Sequence, residues 1–329
     1  MSLNSKRNLA ADDFQIIATN LISTVSIITN LIGNYVVITA KCPEKSRFVH
    51  LSYHFVLCVS QFYVGTIDTV ILIPVPGIYC IGWLKNASDV MKVMYVAIFY
   101  FLFGLQGELL AILLFLKIGS VARPNSVFKL PAFFKLIFIL LFISINHGFH
   151  WIVFYFTYTT RAELEIFIHD HFPYHEFLLR YQFLWMATSN KLYISLSALN
   201  LCSTGLIIVM IVLCYILVLY ELEMTKSYLS KNRYQEHKRY SDEIGNHGIL
   251  IFPFFAILPL CWFVQFFVLE QTDVSIPVSI CFLIFITTPI PAMLFFLWRN
   301  PLYRMNFQKK FCKFRNNHIR TIPVGAQTI

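Results

Sequence analysis

The sequence predicts an all-α membrane protein: a bundle of seven transmembrane helices, N-terminus outside and C-terminus inside, with a short amphipathic helix after the last span. Three observations carry this expectation. Hydrophobic residues make up 57% of the 329 and charged residues only 13%, about half the charged share of an average soluble domain. Seven apolar runs recur along the chain, each long enough to cross a hydrocarbon core of ~30 Å at ~1.5 Å per residue. Lysines and arginines gather in alternate connections between those runs.

The runs fall at 14–40, 48–80, 91–116, 132–158, 192–220, 249–269 and 274–298. Residues 1–13 form an outer N-terminus, 14–298 the membrane domain and 299–329 an inner tail. The first run is too long for the apolar region of a cleaved signal peptide and reads as a signal anchor. The second is unusually long, and Pro74 and Pro76 near its end are expected to kink it. Neither an internal repeat nor a low-complexity segment interrupts the series.

Orientation follows from charge. With the N-terminus outside, the inner segments hold 19 of the 26 lysines and arginines and the outer segments hold 7, as the positive-inside rule requires. The same placement disposes of nucleic acid as the partner for a net charge of +9, because the charges lie in short connections and report topology. The single Asn-x-Ser/Thr triplet, Asn86-Ala87-Ser88, lands in the first outer connection, where Asn86 is a candidate for glycosylation. Most of the eight cysteines lie inside apolar runs and act as small hydrophobes. No CxxC or Cys/His cluster asks for a metal, and no cofactor is expected.

Ionisable residues inside apolar runs are costly, about 2.5–3.5 kcal/mol on insertion scales, and mark candidate sites. Asp68 in the second run and Glu108 in the third are two such residues. Asp68 reads as a ligand contact and Glu108 as an intramembrane switch, each against the plainer reading of a neutral carboxyl that ties helices together. Asn34, in Gly33-Asn34-Tyr35-Val36-Val37, is a second switch candidate or an interhelical hydrogen bonder. His147, His150 and Trp151 of the fourth run, with Trp262 and Gln265 of the sixth, are candidates to line a small-molecule pocket. Pro253 and Pro259 interrupt the sixth run and supply either a hinge or a static kink. In the long outer connection, His169, Asp170, His171, His175 and Glu176 could ligate a metal, but a solvated polar loop is the better reading.

The polar segment 221–248, between the fifth and sixth runs, carries Lys226, Lys231, Arg233, Lys238 and Arg239. A helix pair joined by a basic inner loop can transmit a movement from outside to inside. In the tail, Phe307, Phe311 and Phe314 alternate with Lys309, Lys310, Lys313 and Arg315, the pattern of a helix lying on an anionic leaflet. Cys312 beside them is a palmitoylation candidate. No phosphate loop, GxSxG or HExxH motif occurs, so an enzyme is not expected.

Several stretches resemble a known family. Asp68, Pro74-Val75-Pro76 and Tyr79-Cys80-Ile81-Gly82 are similar to the corresponding region of the nematode serpentine chemoreceptors, closest to the Sri group and its Srh and Str relatives. Phe115-Leu116-Lys117, Tyr234-Gln235-Glu236-His237-Lys238 and Pro301-Leu302-Tyr303-Arg304 fit as well. The resemblance implies a seven-helix G-protein-coupled receptor at the plasma membrane, in the cilium of a sensory neuron. It also implies that Lys117, the basic segment, Tyr303 and Arg304 face the G protein, and Arg123 in the same inner connection as Lys117 is a further candidate to do so. The chain departs from rhodopsin-like pattern in having Lys117-Ile118-Gly119 where Asp-Arg-Tyr would stand. Its outer connection between the fourth and fifth runs holds no cysteine for a disulfide, and Thr287-Thr288-Pro289 stands where Sri relatives carry His-Ser.

These readings converge on a chemosensory receptor with three partners: a small chemical ligand, a heterotrimeric G protein and membrane lipid. A ligand-gated channel or transporter would want related halves or a polar stripe along one span. A seven-helix scaffold without ligand would need neither.

Overall fold

The computed structural model describes residues 9–40, 47–67, 69–72, 77–80, 83–188, 190–235, parts of 237–260, and 275–311. The helices are α1 (Leu9–Thr39), α2 (Arg47–Ile67), α3 (Asp89–Val121), α4 (Ala132–Phe156), α5 (Arg161–His171) and α6 (Asn190–Thr225). Every described residue between 231 and 260 is helical, and this segment is termed α7. Then follow α8 (Ser275–Thr287), α9 (Pro289–Arg299) and α10 (Pro301–Phe311). Five stretches, in α1, α3, α4, α6 and the α8–α9 pair, are long and apolar enough to cross a membrane. With the shorter apolar α2 and α7 they make the seven spans.

Helix α3 is the axis of the bundle. It is apolar all round, which suits a helix enclosed by neighbours, and its buried residues run from Lys92 to Val121. Gly104 and Gly107 let two other helices come close. A Cβ on Gly104 would sit 2.7 Å from His147 Cε1 of α4, and one on Gly107 would sit 2.9 Å from Ile207 Cγ2 of α6. Before the last span ends, the chain breaks at Thr288 with Pro289 as the first residue of α9. Gln61 of α2 donates to the Ile286 carbonyl at 3.0 Å in the turn before that break.

The expected second span is corrected. Helix α2 ends at Ile67, and the remainder of the run contains the strands β1 (Thr69–Leu72) and β2 (Gly77–Cys80). Hydropathy cannot separate a membrane helix from a buried strand, but the β-branched Thr69, Val70 and Ile71 before Pro74 and Pro76 favour extended backbone. A third strand, β3 (Phe183–Met186), pairs antiparallel with β2, Tyr79 opposite Leu184 and Cys80 opposite Phe183.

The β2–β3 pair is buried on both faces, and its period of two sorts the side chains. Ile78, Cys80, Phe183 and Trp185 pack down on Tyr95, Phe154 and Leu196 of the bundle. Tyr79, Leu184 and Met186 pack up against Leu164, Ile168 and Leu178 of the outer connection. That connection is therefore an ordered lid. Its helix α5 opens on a capping box in which Thr160 and Glu163 satisfy each other's backbone N–H groups, and the Thr160 N–H and hydroxyl hold the Glu163 carboxyl below its ordinary range. Among the described cysteines, 58, 80, 202, 214 and 281 form no disulfide, and β2–β3 pairing ties the lid down at Cys80. An N-cap contributes about 1 kcal/mol. Thr160→Ala should thus speed amide exchange of residues 161–164 about fivefold, read by deuterium uptake, while β3 keeps its protection.

The polar segment 221–248 is corrected as well. Helix α6 runs on to Thr225 and α7 is already helical at 231, which leaves a connection of 226–230. Glu, Lys, Arg and Gln are good helix formers, so polarity here marks exit from the membrane and not the end of the helix.

A mid-bundle cavity and its polar wall

Three helices bring one hydrogen-bonded cluster together in the apolar bundle. Glu108 of α3 is fully buried. Its carboxylate accepts from Asn146 Nδ2 and lies 3.0 Å from His147 Nε2, both on α4. Asn146 Oδ1 accepts from the Ser203 hydroxyl of α6. One turn on, His150 Nδ1 donates to the Asn146 carbonyl at 2.8 Å, and His150 Nε2 lies 3.0 Å from Asn200 Oδ1 of α6. Spacing explains the grouping, because positions 146, 147 and 150 share one face of α4, as do 200 and 203 on α6.

A cavity of about 460 Å³ lies against this cluster. His147, His150, Asn200, Ser203 and Thr204 form its polar side, facing Phe99, Phe103, Ile207 and Phe285. Gly245, Gly248 and Phe252 of α7 close the remaining wall. The volume suits one small molecule. Above it, Tyr100 meets Phe154 at 5.2 Å between ring centres, and Phe154 meets Trp185 of β3 at 6.1 Å. Tyr95 meets Phe183 at 5.5 Å. The sheet and these rings roof the cavity.

The sequence candidates divide accordingly. His147 and His150 line the cavity and Glu108 stands behind them. Trp151, one residue past His150, is rotated outward and 42% exposed, so it is not part of the wall. Asn200, Ser203 and Thr204 were missed in the sequence; isolated small polar residues in an apolar run were their only signal. Asp68, Trp262, Gln265, Pro259, Arg239 and Cys312 lie outside the described residues. Asn34 is half-buried, with Oδ1 lacking a hydrogen-bond partner among the described groups. Pro253 is helical and exposed. Asn86 is exposed in the 3-10 turn Trp83–Asn86, two residues before Ser88, the N-cap of α3. Among the described residues no group of three His, Cys, Asp or Glu side chains is placed to hold a metal, and His169 pairs with Glu176.

At the inner end, Lys117 Nζ of α3 lies 3.1 Å from His237 Nδ1 of α7. Arg123 donates to the buried Glu221 from its backbone N–H at 3.2 Å and from its guanidinium at 3.5 Å, and the Ser126 hydroxyl donates to the same carboxylate at 2.9 Å. This hydrogen bonding raises the already high pKa of Arg123. Lys226 pairs with Glu223 at 2.7 Å, while Lys231, Arg233 and Lys238 are exposed. Tyr303 corrects its expected place: it is fully buried with Val36, Met293 and Leu297 and cannot face a partner. Arg304 stacks on Trp298 at 5.7 Å.

Helix count, lid and mid-bundle cavity define a seven-helix membrane bundle of rhodopsin-like fold. The structure is similar to crystalline squid rhodopsin with a TM-score of 0.56 at 12% identity, covering 92% of this chain and 86% of that one; at that identity the likeness shows the fold alone. The sequence matches the family described as serpentine type 7TM GPCR chemoreceptor Sri over residues 10–307. The chain belongs to that family, a nematode family of receptors and not of enzymes, and is a multi-pass membrane protein. No curated protein matches the sequence.

Proposed function

We propose that this chain is a chemosensory receptor. It binds one small, mostly apolar chemical in the mid-bundle cavity and activates a heterotrimeric G protein at the inner ends of α6 and α7. The observation that carries this reading is the cavity itself: α7 closes one side of it with two glycines and Phe252, while the opposite side is fixed by the Glu108–Asn146–His147–Ser203 cluster. A ligand that fits better with α7 displaced would favour that state. The shift is limited by its differential affinity, and moving from 1:99 to 99:1 takes about 5.5 kcal/mol. Displacement of α7 would separate His237 from Lys117 and present Lys231, Arg233 and Lys238, with Arg239, to an acidic surface of the G protein. Pro253 and Pro259 are the proposed places to bend. Asp68 and Asn34 remain proposed contributors at the outer end and in the first span, and a ciliary membrane is the proposed location.

The test is ligand-driven nucleotide exchange on a G protein in cells expressing the chain, after a screen of volatile and soluble chemicals. Thr204→Trp fills the cavity and should raise the half-maximal concentration at least tenfold, about 1.4 kcal/mol, at unchanged surface level. An unchanged response would place the ligand elsewhere. Current that persists with G proteins blocked would favour a channel.

A further inference from the structure

The roof over the cavity and the gap in its side point to one route of entry. Among the described residues, Phe183 and Trp185 of β3, then Tyr95 and Phe154, stand on the outer side of the cavity, and all four are buried. Two of the residues that line the cavity are open instead: Val212 of α6 is 52% exposed and Phe252 of α7 is 44% exposed. Val212 stands beside Val209, Leu213 and Ile216, the exposed apolar face of a helix that crosses the membrane. Among the described residues, the cavity therefore opens between Val212 of α6 and Phe252 of α7, at the depth of lipid tails. At Gly245 and Gly248 the two helices are in contact instead: a Cβ on Gly245 would run into Tyr215 and one on Gly248 would sit 3.3 Å from Ile211, both of α6, so the opening is confined to the level of Phe252.

We propose that the cavity takes neutral ligands dissolved in the bilayer, which enter laterally between Val212 and Phe252. This rests on reading the cavity as the ligand site. Each methylene enriches a solute in hydrocarbon about fourfold, so a molecule of a few carbons reaches the gap at a far higher concentration than it has in water. The polar side, His150, Asn200 and Ser203, then accepts a single hydrogen-bonding group such as a hydroxyl or carbonyl; among the described lining residues no lysine, arginine or carboxylate stands to meet a charged solute.

The test uses the full chain in phosphatidylcholine nanodiscs and the bilayer-confined photoprobe 3-(trifluoromethyl)-3-(m-iodophenyl)diazirine, with adducts mapped by mass spectrometry. Adducts are expected on Phe103, Ile207 and Phe285, which line the cavity and are otherwise buried. Val212→Trp narrows the gap and should lower those adducts at least fivefold, while adducts on the lipid-facing Leu140 and Ile145 of α4 stay constant. If Val212→Trp does not fold, Phe252→Ala decides: it widens the gap and should raise cavity adducts. Cavity adducts that are absent in the wild type, or that ignore both substitutions, overturn lateral entry. Adducts that behave as expected in a chain whose chemical response ignores Thr204→Trp would leave the portal standing and remove the ligand reading instead.

Discussion

Glu108→Ala is expected to destabilise the bundle by about 3 kcal/mol, measured by denaturant unfolding in nanodiscs. The magnitude separates two accounts. Hydrogen bonds between membrane helices average ~0.6 kcal/mol in double-mutant cycles, so losing the two that Glu108 makes to Asn146 and His147 would cost only about 1 kcal/mol. Leaving a buried polar group unsatisfied costs about 1–3 kcal/mol for each group, and here both Asn146 Nδ2 and His147 Nε2 would find neither water nor a new partner. Both helices that would have to relax, α3 and α4, are held close at Gly104, and Asn146 is also bound to Ser203 of α6. Relaxation is therefore restricted and the larger cost should apply. Glu108→Gln keeps an acceptor for Asn146 and should fall in between. A loss of 1 kcal/mol or less for Glu108→Ala would reduce the cluster to ordinary interhelical hydrogen bonds.

Joint replacement of Lys231, Arg233 and Lys238 by Ala should lower ligand-driven nucleotide exchange at least tenfold while ligand saturation and surface level stay as they are. The three side chains are exposed, and substitutions at such positions shift stability by only ~0.5 kcal/mol each. Their charge acts on a partner through water, so its effect should also fade at high salt as the Debye length contracts from about 10 Å at 0.1 M. Lys226 and Arg123 are unsuitable for this test. Lys226 is already paired with Glu223, and Arg123 removal would strip the buried Glu221 of its counter-charge and confuse folding with coupling. Exchange that survives the triple replacement would move the coupling surface away from α7.

Much of this protein was legible in one dimension. Apolar run length is a local property and sufficed for seven spans; the family followed from the resemblance of short stretches such as Pro74-Val75-Pro76 and Pro301-Leu302-Tyr303-Arg304, and its match extends over residues 10–307. His147, His150 and Glu108 were also recognisable, since a polar group in hydrocarbon stands out against its neighbours. The capping box at Thr160 and Glu163 was readable too and would have announced α5 within the outer connection.

What the sequence could not decide was direction and partnership. Hydropathy made one span of 48–80, because a strand buried on both faces is as apolar as a membrane helix; only pairing with β3, about a hundred residues later, gives β2 its place. Trp151 and His150 are neighbours in the chain, yet the ~100° turn per residue of a helix puts one towards lipid and the other in the cavity. Tyr303 belongs to the tail motif, but the packing of α10 against α1 and α9 buries its ring. The sequence by itself determined which segments contribute a membrane helix, though not where each one ends, since burial in lipid acts on each segment alone. Only the tertiary structure decided that Glu108, Asn146, Asn200 and Ser203 share one cluster beside a cavity, because their contacts depend on how three helices are rotated about one another.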